Sequence, residues 1–94
     1  MKILRVDGSM RRNGSISRQL TDELINHLVA DAPNAEVKTR DLADPLPHVT
    51  EDWMNANFTD EADRTPAQND TLTLSESLVE ELEEADTIVI GVPI

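Results

Sequence analysis

The chain has 94 residues, 8 basic and 19 acidic side chains, a net charge of −11, 38% hydrophobic residues and no cysteine. That length bounds it to one small domain, and the lack of cysteine excludes a disulfide framework, a thiolate metal site and a thiol nucleophile. The acidic balance argues against nucleic acid as a partner, and with neither a membrane-spanning apolar run nor a signal-peptide core, a cytoplasmic protein with no membrane partner is expected.

The first element expected is a short buried strand, Ile3-Leu4-Arg5-Val6. It feeds a polar loop, Asp7-Gly8-Ser9-Met10-Arg11-Arg12-Asn13-Gly14, and a helix opens at Ser15-Ile16-Ser17. The first turn of a helix presents unpaired N–H groups and the positive end of its dipole to such a loop, which suits an anion. Ser9, Ser15 and Ser17 add hydroxyl donors. Residues 1–18 hold five of the eight basic side chains and one acid, a net of +4, so the other 76 residues carry −15. A positive loop in an acidic chain points to an anion site. The same residues also fit a solvated loop with an ordinary serine cap, and on their own they leave both readings open.

Spacing narrows the anion. Gly8 and Gly14 are separated by five residues and Ser15 follows, which is not a P-loop, and no G-x-G-x-x-G triplet exists. A hydroxyl-lined loop suits a single terminal phosphate, and FMN is the commonest such ligand on a strand–loop–helix of this kind.

The helix is expected over about Ser17–Ala30, with Ile16, Leu20, Leu24 and Leu28 as one apolar stripe and Ile25 and Val29 beside it. His27 falls at the stripe's edge as a boundary residue. Pro33 ends the helix. Glu36–Arg40 alternates and reads as a half-exposed edge strand, completing a βαβ unit with parallel strands. Asp41 to Arg64 is a long excursion in which Thr50 caps a short helix through Asn57. It carries Trp53 and Phe58; one aromatic is expected to pin the excursion and the other to meet an interface.

Thr65 as cap, Pro66 at the first helical position and Gln68 closing a capping box start a second long helix, running to about Glu84. Leu74, Leu78 and Leu82, joined by Leu72, Val79 and Ala85, form its stripe. Glu80, Glu81, Glu83 and Glu84 are expected to be a solvated face and not a catalytic carboxylate pair. Asp86–Ile94 then reads as a parallel strand buried on both faces, leaving at Gly91 and Pro93. The strand order is 2-1-3, which puts the Ser9 loop beside the Gly91–Ile94 exit at the switch point where open α/β sheets bind ligands. The third strand has an open edge, so the chain is expected to be the N-terminal part of a larger α/β domain and marginally folded alone.

In this order and spacing the pieces are specific. Leu4-Arg5-Val6-Asp7-Gly8-Ser9 with Ser15-Ile16-Ser17-Arg18-Gln19-Leu20-Thr21, then Thr39-Arg40-Asp41-Leu42 with Pro45-Leu46-Pro47-His48, resemble the FMN-dependent NADH-azoreductase family of flavodoxin-like NAD(P)H:quinone oxidoreductases. Thr65-Pro66, Leu74-Ser75-Glu76, Leu78 to Leu82 and Asp86-Thr87-Ile88-Val89-Ile90-Gly91-Val92-Pro93 continue the resemblance over all 94 residues. The resemblance implies a flavodoxin-like, doubly wound parallel sheet, present here in part with two main helices. Residues 1–94 are then the N-terminal part of a single FMN-binding domain. It also implies a homodimer with non-covalent FMN, NADH as co-substrate and a quinone or azo compound as small-molecule acceptor, in a ping-pong cycle. Ser9 and Ser15-Ile16-Ser17 are implied to bind the FMN phosphate, and Ile94 to begin the loop against the flavin ring. No side chain is implied as an acid, base or nucleophile; the redox chemistry belongs to the flavin. The alternative from another class is a catalytically inactive fragment or small acidic protein-interaction module.

Overall fold

In a computed structural model, which describes residues 1–93, the backbone forms two compact units. The first comprises Met1–Leu46 and the stretch from Glu84 onward; the second is Pro47–Glu83.

The first unit is a three-stranded parallel sheet with one helix. Strand β1 is Lys2–Asp7, helix α1 is Ile16–Asp31, strand β2 is Glu36–Asp41 and strand β3 is Thr87–Gly91. The sheet order is β2-β1-β3, as expected, with β1 in the centre. The register aligns Asp7 with Asp41 on one side and with Gly91 on the other, so three strand ends meet at the carboxyl edge. Helix α1 packs its Ile25 against Ile3 and Val89, with Leu28, Val29 and Ala35 closing the cluster. Ser15 caps the helix by accepting from the Arg18 N–H. Ala32 ends it, its N–H donating to the Leu28 and Val29 carbonyls one residue before Pro33.

Two sequence expectations are corrected here. The row Ile16, Leu20, Leu24 does not face the core: Ile16 is 74% exposed, and Leu20 and Leu24 are exposed too. The covered row is Thr21, Ile25, Leu28 and Val29. The reason is geometric. A strict four-residue repeat advances about 40° around a helix at each step, so it drifts off any single face, whereas alternating steps of four and three stay on it. Likewise β3 is not buried on both faces. Val89 and Gly91 are buried, while Ile88 and Ile90 on the opposite face are exposed.

The second unit contains α2, Glu51–Phe58, a single 3₁₀ turn at Glu61–Asp63, and most of α3, Pro66–Glu84. Both expected caps are present. The Trp53 N–H donates to Thr50 Oγ1 at 3.2 Å. Thr65 and Gln68 close a reciprocal capping box, with Thr65 N–H to Gln68 Oε1 at 3.0 Å and Gln68 N–H to Thr65 Oγ1 at 3.2 Å. Of the two aromatics, one is pinned as expected. Trp53 pins the excursion, its Nε1–H donating to Ser75 Oγ at 2.7 Å, whereas Phe58 is 79% exposed. Arg64 donates to the Ala56 and Thr59 carbonyls and so caps the carboxyl end of α2.

The expected stripe of α3 is corrected as well: Leu72 is buried, but Leu74, Val79 and Leu82 are exposed. Glu81 is buried, 6% exposed, while Leu82 is half-exposed. Glu81 lies one turn beyond the half-buried Leu78 on the same side of α3, and Leu82 sits about 100° to its side. Glu80, Glu83 and Glu84 are exposed as a solvated face should be. No helix among the described residues is long and apolar enough to cross a membrane.

Candidate phosphate-binding site

The loop from β1 to α1 is shaped by its ends. The Gly8 N–H donates to the Gly91 carbonyl at 2.8 Å, holding the loop against the exit of β3. A Cβ on Gly8 would lie 3.0 Å from that same oxygen, so the close approach favours glycine. Gly14 has φ +70°, the left-handed turn that delivers the chain to Ser15.

Three hydroxyls line the result. Ser15 Oγ lies 3.0 Å from Ser9 Oγ and 3.1 Å from Ser17 Oγ, and it accepts from the Arg18 N–H at 3.3 Å. Ser9 Oγ accepts from the Arg11 N–H at 3.2 Å and reaches the Arg11 carbonyl at 3.3 Å. Ser9 and Ser15 are buried and Ser17 half-buried. Each hydroxyl proton is spent on a neutral neighbour, so turning it toward an anion exchanges a weak hydrogen bond for a charge-assisted one. The Ile16 and Ser17 N–H groups belong to the first turn of α1 and have no acceptor within the helix. Ser9, Arg11, Gly14, Ser15, Ile16, Ser17 and Leu20 line a cavity of about 430 Å³, with Val92 and Pro93 across from them.

Thus the structure brings Ser9, Ser15, Ile16 and Ser17 together beside the β3 exit, as expected. Ile94 lies outside the described residues. Neutral hydroxyls, free backbone N–H groups and a helix dipole make a donor set that fits a terminal phosphate such as that of FMN. Nothing in the set resembles a metal centre, and no cluster of His, Asp or Glu among the described residues is placed to hold a metal ion.

The charge argument needs correction. The net +4 of residues 1–18 is not a free positive patch, because most of its arginines are paired locally. Arg5 binds Asp7 at 2.9 Å and also Asp22. Arg12 binds Asp44 at 2.6 Å. Arg18 binds Asp41 at 2.7 Å and approaches Asp7 at 3.5 Å. Burial disfavours the charged form of Arg5, but its hydrogen bonds to Asp22 and Asp7 outweigh that and hold its pKa above the ordinary value. The Arg18 hydrogen bond, followed by the Ala43 N–H, pushes Asp41 down to about 2. Arg11 is different: it lines the cavity, and its guanidinium has no partner among the described residues.

Sequence reasoning missed Arg18, Asp41 and Asp7 as parts of this site. A signal was present. Both β1 and β2 end in aspartate at the carboxyl edge, and Arg18 sits one turn into the helix that starts above them. A buried Asp7 between Arg5 and Arg18 also explains why a central strand carries Arg5 at all.

The chain is similar to known proteins over nearly its whole length. The FMN-dependent NADH:quinone oxidoreductase 1 of Colwellia psychrerythraea is 53% identical over 94 residues, covering 100% of this chain and 48% of that protein. The protein of the same name from Hahella chejuensis is 49% identical over 92 residues, covering 98% of this chain and 45% of its own length. The chain thus spans about half the length of the curated relatives it matches. The crystal structure of an azoreductase from Bacillus anthracis superposes with a TM-score of 0.81 at 25% identity, over 97% of this chain and 46% of that one. Residues 1–94 match the family described by its flavodoxin-like fold, and with the 2-1-3 parallel sheet and the loop at its carboxyl edge the chain belongs to that family.

Proposed function

We propose that this chain supplies the phosphate-binding half of an FMN-dependent NADH:quinone oxidoreductase that also reduces azo compounds. The observation that carries this reading is the run of three serine hydroxyls at the N-terminus of α1, facing Val92 and Pro93 across one cavity. The names of the two relatives, about half identical to this chain, support it. Ser9, Ser15 and Ser17 donate hydroxyls to the phosphate, and the Ile16 and Ser17 N–H groups meet it along the helix axis. FMN, when bound, would supply the two-electron redox chemistry between NADH and a quinone or azo acceptor. The chain's own residues bind and orient, and none acts as acid, base or nucleophile. By the family resemblance, Ile94 would begin the loop against the flavin ring. Residues 1–94 belong to a single flavodoxin-like domain of a cytoplasmic homodimer.

Titration of the full-length apoprotein with FMN and with riboflavin, which lacks the phosphate, tests the site. Ser9→Ala and Ser17→Ala each remove a donor to a charged acceptor, about 1.5–3 kcal/mol, or roughly a ten- to hundredfold loss for FMN. Riboflavin affinity stays put. Unchanged FMN affinity in both variants means the phosphate lies elsewhere.

A further inference from the structure

Resting on the reading that this loop holds a phosphate, we propose that Arg18 is a positioning residue. Anchored by Asp41, it holds the Ser9–Arg11 turn in its binding shape and does not itself meet the anion.

All three guanidinium nitrogens are committed. Nε donates to the Arg11 carbonyl at 2.6 Å and Nη2 to the Ser9 carbonyl at 2.7 Å, so one planar group spans both ends of the turn. Nη2 also donates to Asp41 Oδ1 at 2.7 Å and Nη1 to Asp41 Oδ2 at 3.1 Å, a two-pronged carboxylate contact. Nη1 lies 3.5 Å from Asp7 Oδ2. The side chain is 13% exposed and does not line the cavity, which Arg11 does. The same residue's backbone N–H reaches Ser15 Oγ, the central hydroxyl of the row. Arg18 therefore fixes two loop carbonyls and the cap hydroxyl at once, while Asp41, at the end of β2, fixes Arg18 to the sheet. A lysine keeps the charge but lacks the planar fork that bridges two carbonyls and a carboxylate. The arginine an incoming phosphate would meet is Arg11.

The test uses full-length protein with Arg18→Lys, Asp41→Asn and the double variant, each titrated as apoprotein with FMN and with riboflavin. A clamp predicts that Arg18→Lys loses about tenfold or more in FMN affinity despite its retained charge. Riboflavin binding in that variant stays near wild type, which shows that the fold persists. Asp41→Asn loses FMN affinity in the same direction, and the double variant is no worse than Arg18→Lys alone, because the two act as one unit. Wild-type FMN affinity in Arg18→Lys overturns the proposal, since charge alone then suffices. Equal loss of FMN and riboflavin overturns it too, by showing a general structural role. So does an Asp41→Asn variant that binds FMN normally. If Ser17→Ala loses FMN while the Arg18 and Asp41 variants do not, only the clamp fails. If Ser9→Ala and Ser17→Ala also keep wild-type FMN affinity, the phosphate site itself fails.

Discussion

Gly91→Ala is the substitution that most directly tests how the sheet, α1 and the loop lock together. Gly91 ends β3, and its carbonyl accepts the Gly8 N–H. A Cβ built there would lie 2.5 Å from Thr21 Oγ1, and 3.5 Å from both Asp7 Oδ1 and the Ser17 carbonyl. The backbone is not in the left-handed region, so the demand for glycine is one of space alone. Two routes relieve the clash. Either β3 moves away from α1, an overpacking cost of about 1–3 kcal/mol. Or Thr21 rotates, and its buried hydroxyl gives up the Ser17 carbonyl, 2.8 Å away, at a similar cost of about 1–3 kcal/mol. Stiffening of the unfolded chain by alanine offsets about 0.4–1 kcal/mol, leaving a net loss of about 1–2 kcal/mol. Urea denaturation of the full-length protein measures it. Thr21→Ala removes the oxygen that clashes, so the double variant Gly91→Ala/Thr21→Ala loses less than the sum of the two single variants. Wild-type stability in Gly91→Ala, or simple additivity in the double variant, refutes the packing argument.

Two further outcomes are expected. Asp41 has its carboxyl pushed down to about 2 from 3.8, so its pairing favours the folded state above pH 3.8 and is lost as pH falls toward 2. Urea melts of Asp41→Asn should show a stability deficit against wild type that is constant from pH 7 to about 4 and closes below it; a deficit that persists undiminished toward pH 2 contradicts the pairing. Thr65→Ala opens the capping box at the start of α3 and should cost about 0.5–2 kcal/mol, read as a lower urea midpoint.

The fold was legible where local chemistry dictates it. Pro66 at a helix start and Thr65 with Gln68 around it admit few other structures, and they define the start of α3 as observed. The β-branched run Thr87–Ile90 and the alternation in Glu36–Arg40 marked the two parallel strands observed at Thr87–Gly91 and Glu36–Asp41. Which side of an element is covered was less legible. Ile16, Leu20 and Leu24 carry the same apolar chemistry as Ile25, and only the helical phase relative to β1 and β3 separates them. That phase is a tertiary property. Glu81 was misread for the same cause, because its side chain argued for solvent while its phase on α3, one turn from the half-buried Leu78, argued for burial.

The site shows the same division. Serines at 9, 15 and 17 were legible as a hydroxyl cluster at a helix start, and Ser15 is the cap observed. The arginines did not, since a guanidinium is equally at home on a phosphate or on a carboxylate. The strand register decided between them. It sets Asp7 beside Asp41, and within reach of these lie Arg12 and Arg18 on the loop side and Arg5 on β1 itself. Asp22 and Asp44 complete a set in which four carboxylates face three guanidiniums. The net positive charge counted along the sequence is therefore spent on holding the loop to the sheet. On the proposed reading, anion binding is left to pre-placed hydroxyls, free N–H groups, the α1 dipole and Arg11. Such neutral donors keep their strength in salt better than a basic patch does, because screening acts on net charge at long range and little on short hydrogen bonds in a recess. An acidic chain can hold a phosphate on these terms, since what the site offers is donor geometry, with the arginines building the frame around it.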